Sequence, residues 1–274
     1  MEIGLRWFHV FAGMLWIGAT WFFTWLDGRV EEETEILAPG AAPQVWMVHS
    51  GGFYIVEKQK QPQLLPKRLH WFKYEALFTW ISGFLLLIWM FYLGRGFLID
   101  ERTSTLTHAT AVLAGLGFLV VAWAIYDGLW ISPLGKYPRI AGGVAYLLSV
   151  FAAWFLLQIF LGRAAYLHLG AMYGTIMVCN VWIRILPAQT SLLKATREGG
   201  KPDMRLAVRA KQRSRHNTYM VVPLVFLMIS NHYPVTTYGS SHQWLVLALL
   251  IPLGWVAARL FRGDARKGAL VGAP

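Results

Sequence analysis

Residues 107–131 read THATAVLAGLGFLVVAWAIYDGLWI, an apolar run in which Asp127 is the one acid and His108 the one histidine. A bilayer core of about 30 Å is crossed by roughly 20 helical residues. The run therefore predicts a transmembrane helix. Comparable segments occupy residues 5–26, 71–94, 140–161, 164–187, 216–233 and 242–261.

The composition of the whole chain agrees with solvation by lipid. Hydrophobic residues make up 56% of the 274 residues and charged residues 14%, whereas a soluble domain carries about 25% charged residues. One aqueous core cannot bury that much apolar surface. We therefore expect an all-α integral membrane protein, a single transmembrane domain over 1–274 built as a bundle of about seven transmembrane helices.

The basic residues are distributed unevenly between the two predicted sides of the membrane. With the N-terminus outside, 21 of the 25 Lys and Arg residues lie on the inner side, and Arg6, Arg95, Arg102 and Arg163 lie outside. Basic connections are retained in the cytoplasm. The asymmetry predicts a cytoplasmic C-terminus in a multi-pass protein of the bacterial inner membrane. It also explains the net charge of +11 without a nucleic-acid partner.

Two inner connections are long. The first, 28–69, contains two β-prone runs, 45–48 and 53–56, on either side of a turn with Gly51 and Gly52, which predicts a small hairpin. The second, 188–215, is rich in Lys and Arg and forms a basic cytoplasmic loop.

Histidines at membrane depth indicate a cofactor site or a role in proton transfer, because ionisable groups are costly there. His9 and His168 lie at matching depth in two predicted helices. Facing imidazoles are the ligands that a b-type haem requires, so this pair is predicted to bind the iron of haem b. His232, at the outer end of the sixth segment, is a further cofactor candidate, a proton carrier or a polar helix end. The alternative for each histidine is an ordinary hydrogen-bonded helix residue.

A second group of polar residues collects toward the inner side, near the starts and ends of the segments. Its members are His70, Lys73, Glu75, Asp127, Arg184 and His216. One interpretation is a structural network of ion pairs. The other is a pocket for an anionic group, a haem propionate, a quinone or a purine. In the second interpretation Lys73 and Arg184 bind the substrate, while Glu75, His70 and His216 are catalytic and move protons.

Four stretches resemble one known family. They are GGFYIVEK at 51–58, LHWFKYEA at 69–76 with TWISGF at 79–84, GAMYGTIM at 170–177, and SRHNTY at 214–219 with LMISNHYP at 227–234. Together they resemble the membrane domain of the bacterial membrane-bound urate oxidase (urate hydroxylase) family.

The resemblance implies a membrane oxidoreductase that oxidises a purine and passes electrons to cytochrome c. Family members of this type continue into a C-terminal cytochrome c domain that this sequence lacks, so the expected partner is a separate cytochrome c or other membrane subunits. The competing hypothesis is a non-enzymatic accessory or electron-transfer subunit of a larger respiratory or photosynthetic membrane complex. A transporter is less well supported, because paired broken-helix signals are not evident.

Overall fold

The computed structural model describes residues 2–37, 42–59, 68–94, 97–102 and 104–267, with side chains described up to residue 260. The described residues do not include 60–67, which belong to the first predicted inner loop. They also do not include Arg95, which is predicted to lie on the outer side. Helices dominate the described part of the chain. They are α1 (Glu2–Ile36), α2 (Tyr74–Leu87), α3 (His108–Ile131), α4 (Pro138–Ile159), α5 (Gly162–Cys179), α6 (Leu186–Arg197), α7 (Met204–Ile229) and α8 (Gln243–Lys267).

Two of these helices change pitch without breaking. A π-helical turn, Ile88–Tyr92, extends α2, and a second one, Asn180–Ile185, joins α5 to α6. Short 3₁₀ turns, Pro133–Lys136 and Ser230–His232, follow α3 and α7. The π-helical turns are of a kind that is frequent at functional sites.

The prediction of an all-α membrane protein is confirmed. Within the described residues, six helical spans are long and apolar enough to cross a bilayer, with α5 and α6 counted as one continuous span. The predicted seventh segment, 216–233, corresponds to the C-terminal half of α7. It is not among the six because the first half of α7 is strongly basic and leaves too short an apolar run. Helix α7 nevertheless packs against α5 and α8 as a member of the bundle.

Local sequence explains where the helices begin and end. The Thr107 hydroxyl accepts a hydrogen bond from the backbone N–H of Thr110 at 3.2 Å and caps the start of α3. Ser132 ends that helix and caps the 3₁₀ turn behind it, accepting from Leu134 N–H at 3.2 Å. Pro138 occupies the first turn of α4, where its missing N–H costs nothing.

The centre of the bundle is α5, most of whose residues are buried. Small residues let neighbouring helices approach it closely, as in other membrane bundles. A Cβ added at Gly170 would lie 2.8 Å from Cε of Met228 on α7, and one at Gly115 of α3 would lie 3.0 Å from Nε2 of His168. Glycine at these positions therefore sets the distance between α5 and its neighbours.

The first long connection contains an antiparallel hairpin of β1 (Gln44–His49) and β2 (Gly52–Glu57), with Val45 opposite Val56. Ser50 and Gly51 both have positive φ, the conformation of a type I′ turn. Val45 packs on Leu26 and Val30 of α1. With 35 residues, α1 is about 52 Å long and extends well past a bilayer core, so its last turns carry the hairpin.

Candidate functional site

His168, a predicted haem ligand, is fully buried and uses both ring nitrogens inside the protein. Nδ1 donates to the Ala164 carbonyl at 2.8 Å, which leaves Nε2 to accept from the Tyr92 hydroxyl at 3.0 Å. The rings of Phe91 and Phe160 pack around it, with centroids 5.8 and 4.6 Å from the imidazole. The lone pair that would bind iron is therefore engaged by Tyr92.

His9 lies against a different part of the structure. Its Nδ1 lies 3.0 Å from the Thr79 carbonyl and 3.0 Å from the Ser82 hydroxyl, both on α2. A Cβ at Gly83 would come within 2.7 Å of its Cε1 atom, so the ring is packed directly on the α2 backbone. His232 is exposed, in the turn after α7.

The predicted axial pair does not fit a haem in this arrangement. An iron between two imidazoles needs both rings directed into one shared space. Here His9 packs on residues 79–83 of α2, whereas His168 packs on the π turn that follows α2 and on α3. Haem b therefore stays a prediction that this pair does not support, and none of the chemistry proposed below depends on it.

The inner polar residues form an ion-pair network centred on Asp127, which is buried at the end of α3. Arg184 donates from Nε to Oδ1 of Asp127 at 2.9 Å and pairs with Oδ2 through Nη2. Arg213 of α7, itself buried, donates from Nη2 to the same Oδ1 at 2.8 Å. The carboxylate thus joins α3, the π turn after α5, and α7, as the structural interpretation of these charges expects.

Hydrogen bonds extend this network to His216. The Tyr126 hydroxyl lies 2.8 Å from Nδ1 of His216 and accepts from Nδ2 of Asn180 at 3.0 Å. Asn180 also donates to Oδ1 of Asn217 at 2.9 Å. The Arg213 guanidinium lies 5.0 Å from the centroid of the Tyr126 ring, close enough for a cation–π interaction.

A pocket of about 350 Å³, called the smaller pocket below, lies between α1, the start of α2, the π turn before α6, and α7. Small-molecule sites begin at about 300 Å³, so a compact ligand fits it. Its lining combines aromatic rings with many polar groups. The polar members are Thr20, Thr24, Asp27, His70, Glu75, Gln189, Lys211, Ser214, Arg215, Asn217 and Thr218.

Glu75 is the notable acid of this pocket. Its Oε2 atom is buried and has no hydrogen-bond partner among the described residues. Asp27, by contrast, pairs with Lys58, which follows the hairpin. Lys211 pairs with Glu31 at 3.4 Å, so Arg215 is the lining cation without an ion pair in the described part of the chain. The pocket therefore offers one carboxylate and one guanidinium that form no ion pair with the described residues.

The structure brings two of the five predicted catalytic and substrate-binding residues together in this pocket, His70 and Glu75. Lys73 points elsewhere, with its ammonium 5.9, 5.1 and 5.4 Å from the ring centroids of Trp71, Tyr74 and Trp182. Arg184 is bound to Asp127, and His216 lies on the opposite side of α7.

Several residues of the network carry no role in the sequence-based prediction. Asn180, Asn217 and Tyr126 are polar residues within or beside apolar runs, and Arg213 is assigned to the basic loop. The available signal is the cost of an amide such as Asn180 at membrane depth. The π turn at Asn180–Ile185 shifts the later residues of this helix, Arg184 among them, so a regular helical period does not give the face on which those residues lie.

Fold and site together define a multi-pass helical membrane protein with a small polar pocket among its helices. The family described as "Urate oxidase N-terminal" matches residues 1–270. The chain belongs to this family, which confirms the resemblance to the urate-oxidase-like membrane proteins. Searches of curated proteins and of solved structures found no match.

Proposed function

We propose that this chain binds an anionic purine of the urate class in the smaller pocket and takes part in its oxidation, with a cytochrome c as electron acceptor. Membership of the urate oxidase N-terminal family supports the reaction class. The pocket supports the ligand, because its size and its unpaired polar groups match a small, planar, hydrogen-bonding anion.

The observation that carries this proposal is the unpartnered Oε2 of Glu75. Buried polar atoms nearly always have a hydrogen-bond partner, and an orphaned carboxylate oxygen inside a lipid-embedded bundle is especially costly. A purine offers ring N–H donors that would satisfy this oxygen. The purine carbonyl oxygens would in turn accept from Arg215 and from the Gln189 amide, which line the same space.

The unpaired charges of the pocket give the ligand an orientation. Asp27 is neutralised by Lys58 and Lys211 by Glu31, which leaves Glu75 and Arg215 to act on the occupant. Arg215 would offset the negative charge of the purine, and Glu75 could take up a ring proton. The negatively charged edge of the purine would therefore lie toward Arg215, and a ring N–H would lie toward Glu75.

Hydroxylation of a purine by water releases protons and electrons. Glu75 would accept a ring N–H proton and His70, exposed at the rim, would pass it to solvent, as general acid–base groups do. For each purine hydroxylated, a C–O bond to water forms, two oxidised cytochrome c molecules each accept one electron, and the second proton, from the attacking water, also goes to solvent. The ion-pair network of Asp127, Arg184 and Arg213 would position α7, and with it Arg215.

The test uses the full chain reconstituted in nanodiscs with oxidised cytochrome c and urate. We expect wild-type protein to reduce cytochrome c in a urate-dependent way. Glu75→Gln should lower the turnover rate about 100-fold while changing urate binding much less, because it removes the proton acceptor. Glu198→Gln, which alters a carboxylate with 64% of its side chain exposed, is the matched control and should keep the wild-type rate.

Two results would contradict the proposal. If Glu75→Gln and wild type turn over equally, Glu75 is not the proton acceptor. If wild type neither binds urate nor reduces cytochrome c, the chain is not a purine oxidoreductase, and a role as an accessory subunit of a larger complex is favoured.

The purine proposal includes a location of the chain in the inner membrane of a bacterium.

A further inference from the structure

A second and much larger cleft, of about 1500 Å³, opens between α3 and α4, with α5 behind it and α7 and α8 beside it. Pockets for small molecules measure about 300–1,000 Å³, so this space exceeds what a purine or similar ligand fills. Phe118, Val121, Leu148, Phe151 and Phe155 are among the residues that line its apolar part. A long and largely apolar molecule would match this space.

One end of the cleft is strongly basic. Lys136 and Arg139 lie at the connection from α3 to α4, and Arg259 lies near the end of α8. None of the three has an ion-pair partner in the described part of the chain, and no Asp or Glu is among the residues that line the cleft. The described residues therefore supply no negative charge that would balance this end of the cleft.

Hydrogen-bond donors accompany these cations. Nε1 of Trp130 is buried and has no partner among the described residues, and an indole N–H can only donate. The Trp130 ring packs on His216 with centroids 4.0 Å apart. The basic end thus also holds a donor suited to a phosphate or ester oxygen.

Part of the α4 wall of the cleft consists of two glycines, which have no side chains. Gly142 and Gly143 of α4 face it, and a Cβ added at either would meet no atom within 4 Å. Glycine inside a helix costs stability relative to other residues, so two adjacent glycines beside open space mark room kept for an occupant. An acyl chain running along α4 would fill that room.

We propose that this cleft binds one anionic diacyl phospholipid. Its phosphate would lie among Lys136, Arg139 and Arg259, and its acyl chains would lie between α3 and α4. Basic pockets between membrane helices bind anionic lipid headgroups. A zwitterionic lipid would bring an ammonium group toward these cations, and a quinone would leave their charge unmatched. The predicted orientation places this end of the cleft in the inner leaflet.

The experiment counts the lipids that remain on the full chain. Protein in a mild detergent is equilibrated with equal amounts of phosphatidylglycerol and phosphatidylcholine and analysed by native mass spectrometry. We expect wild type to retain about one phosphatidylglycerol per chain in preference to phosphatidylcholine. The double variant Lys136→Gln/Arg139→Gln should lower that retention at least about tenfold, because each cation near the headgroup contributes severalfold.

Matched variants separate the site from general effects. Lys194→Gln/Arg197→Gln removes the same charge from exposed positions of α6 away from the cleft and should retain the lipid. Gly143→Leu should displace the acyl chains and lose the lipid. Gly117→Leu, at an exposed glycine of α3 that also has open space but does not line the cleft, should not.

Three outcomes would overturn the assignment. They are equal retention of both lipids, full retention by both cleft variants, and recovery of a neutral quinone from the cleft in place of a phospholipid. Because the cleft variants leave Glu75 and His70 untouched, failure of this proposal would be separate from failure of the purine proposal.

Discussion

At the residue scale, the ring of His168 connects three elements through its nitrogens and its packing. Nδ1 is held by Ala164 of its own helix, Nε2 by the Tyr92 hydroxyl in the π turn after α2, and Gly115 of α3 lies directly against the ring. A buried imidazole with both nitrogens satisfied stabilises the packing around it. We therefore assign His168 a structural role in this arrangement.

Removal of the Tyr92 hydroxyl should test that role. Tyr92→Phe leaves Nε2 of His168 without a partner in a fully buried site, and a hydrogen bond between membrane helices contributes about 1 kcal/mol. We expect the free energy of unfolding, measured by denaturant titration in mixed micelles, to fall by about that amount. Tyr233→Phe, at a tyrosine that is 61% exposed, is the control. Equal stability of the two variants would argue that the Tyr92–His168 bond contributes nothing.

At the element scale, α7 joins the two cavities and the ion-pair network. Its first half carries Lys211 and Arg215, which line both cavities, while Arg213 turns inward to Asp127. Asp203 caps the start of this helix: its carboxylate accepts from the Arg205 backbone N–H at 3.0 Å and from the Arg205 Nε at 3.0 Å. The placement of these basic side chains therefore depends on where α7 starts.

The cap should make the first turn of α7 sensitive to acid. The side-chain hydrogen bond from Arg205, aided by the backbone N–H, holds the pKa of Asp203 below its usual value. A carboxylate with a lowered pKa in the folded state stabilises that state above its ordinary pKa of about 3.9, and this stabilisation is lost as pH falls through the lowered value. After correction for the intrinsic exchange rate, the protection of the backbone amides at residues 204–207 should therefore decrease at acidic pH.

Asp203→Asn provides the comparison, because asparagine still caps a helix but does not titrate in this range. We expect its exchange at residues 204–207 to be independent of pH after correction for the intrinsic rate. An identical acid response in Asp203→Asn and wild type would show that another group causes it.

The elements also show which features a sequence can reveal. Length and hydropathy locate helices such as α3, where the predicted 107–131 and the observed His108–Ile131 nearly coincide. Length and hydropathy do not show which neighbours pack against each face of a helix. His9 and His168 have matching depth along their helices, but depth does not fix the face to which a side chain points. The π turns at Ile88–Tyr92 and Asn180–Ile185 rotate later residues further, beyond the reach of a regular helical period.

The polar pocket was partly predictable for a related reason. His70 and Glu75 lie near each other in sequence at the start of α2, so one helix end brings both to the same cavity. Arg215 and Asn217 arrive from α7, and only the packing of α7 on α1 and on the π turn after α5 places them opposite. Contacts between distant helices of this kind have no local signature in the sequence.

At the scale of the whole molecule, the predicted cytoplasmic side is strongly basic, whereas the predicted outer side carries few Lys and Arg residues. The 21 Lys and Arg residues predicted to be cytoplasmic include the basic end of the large cleft and the start of α7. Both proposed ligands are anionic and both would enter from this side. The orientation in the membrane therefore decides which compartment supplies them.

Cysteine labelling in intact cells should establish that orientation. In a background carrying Cys179→Ala, which removes the single native cysteine, Glu101→Cys lies in the connection before α3 and Glu198→Cys just after α6. Because basic loops are retained in the cytoplasm, we expect a membrane-impermeant maleimide to label Glu101→Cys in intact spheroplasts and Glu198→Cys only after the membrane is permeabilised. Both positions are exposed on the protein surface, so packing within the bundle does not limit either reaction. The reverse pattern would invert the bundle, place the basic end of the cleft in the outer leaflet, and require the purine to enter from outside the cell.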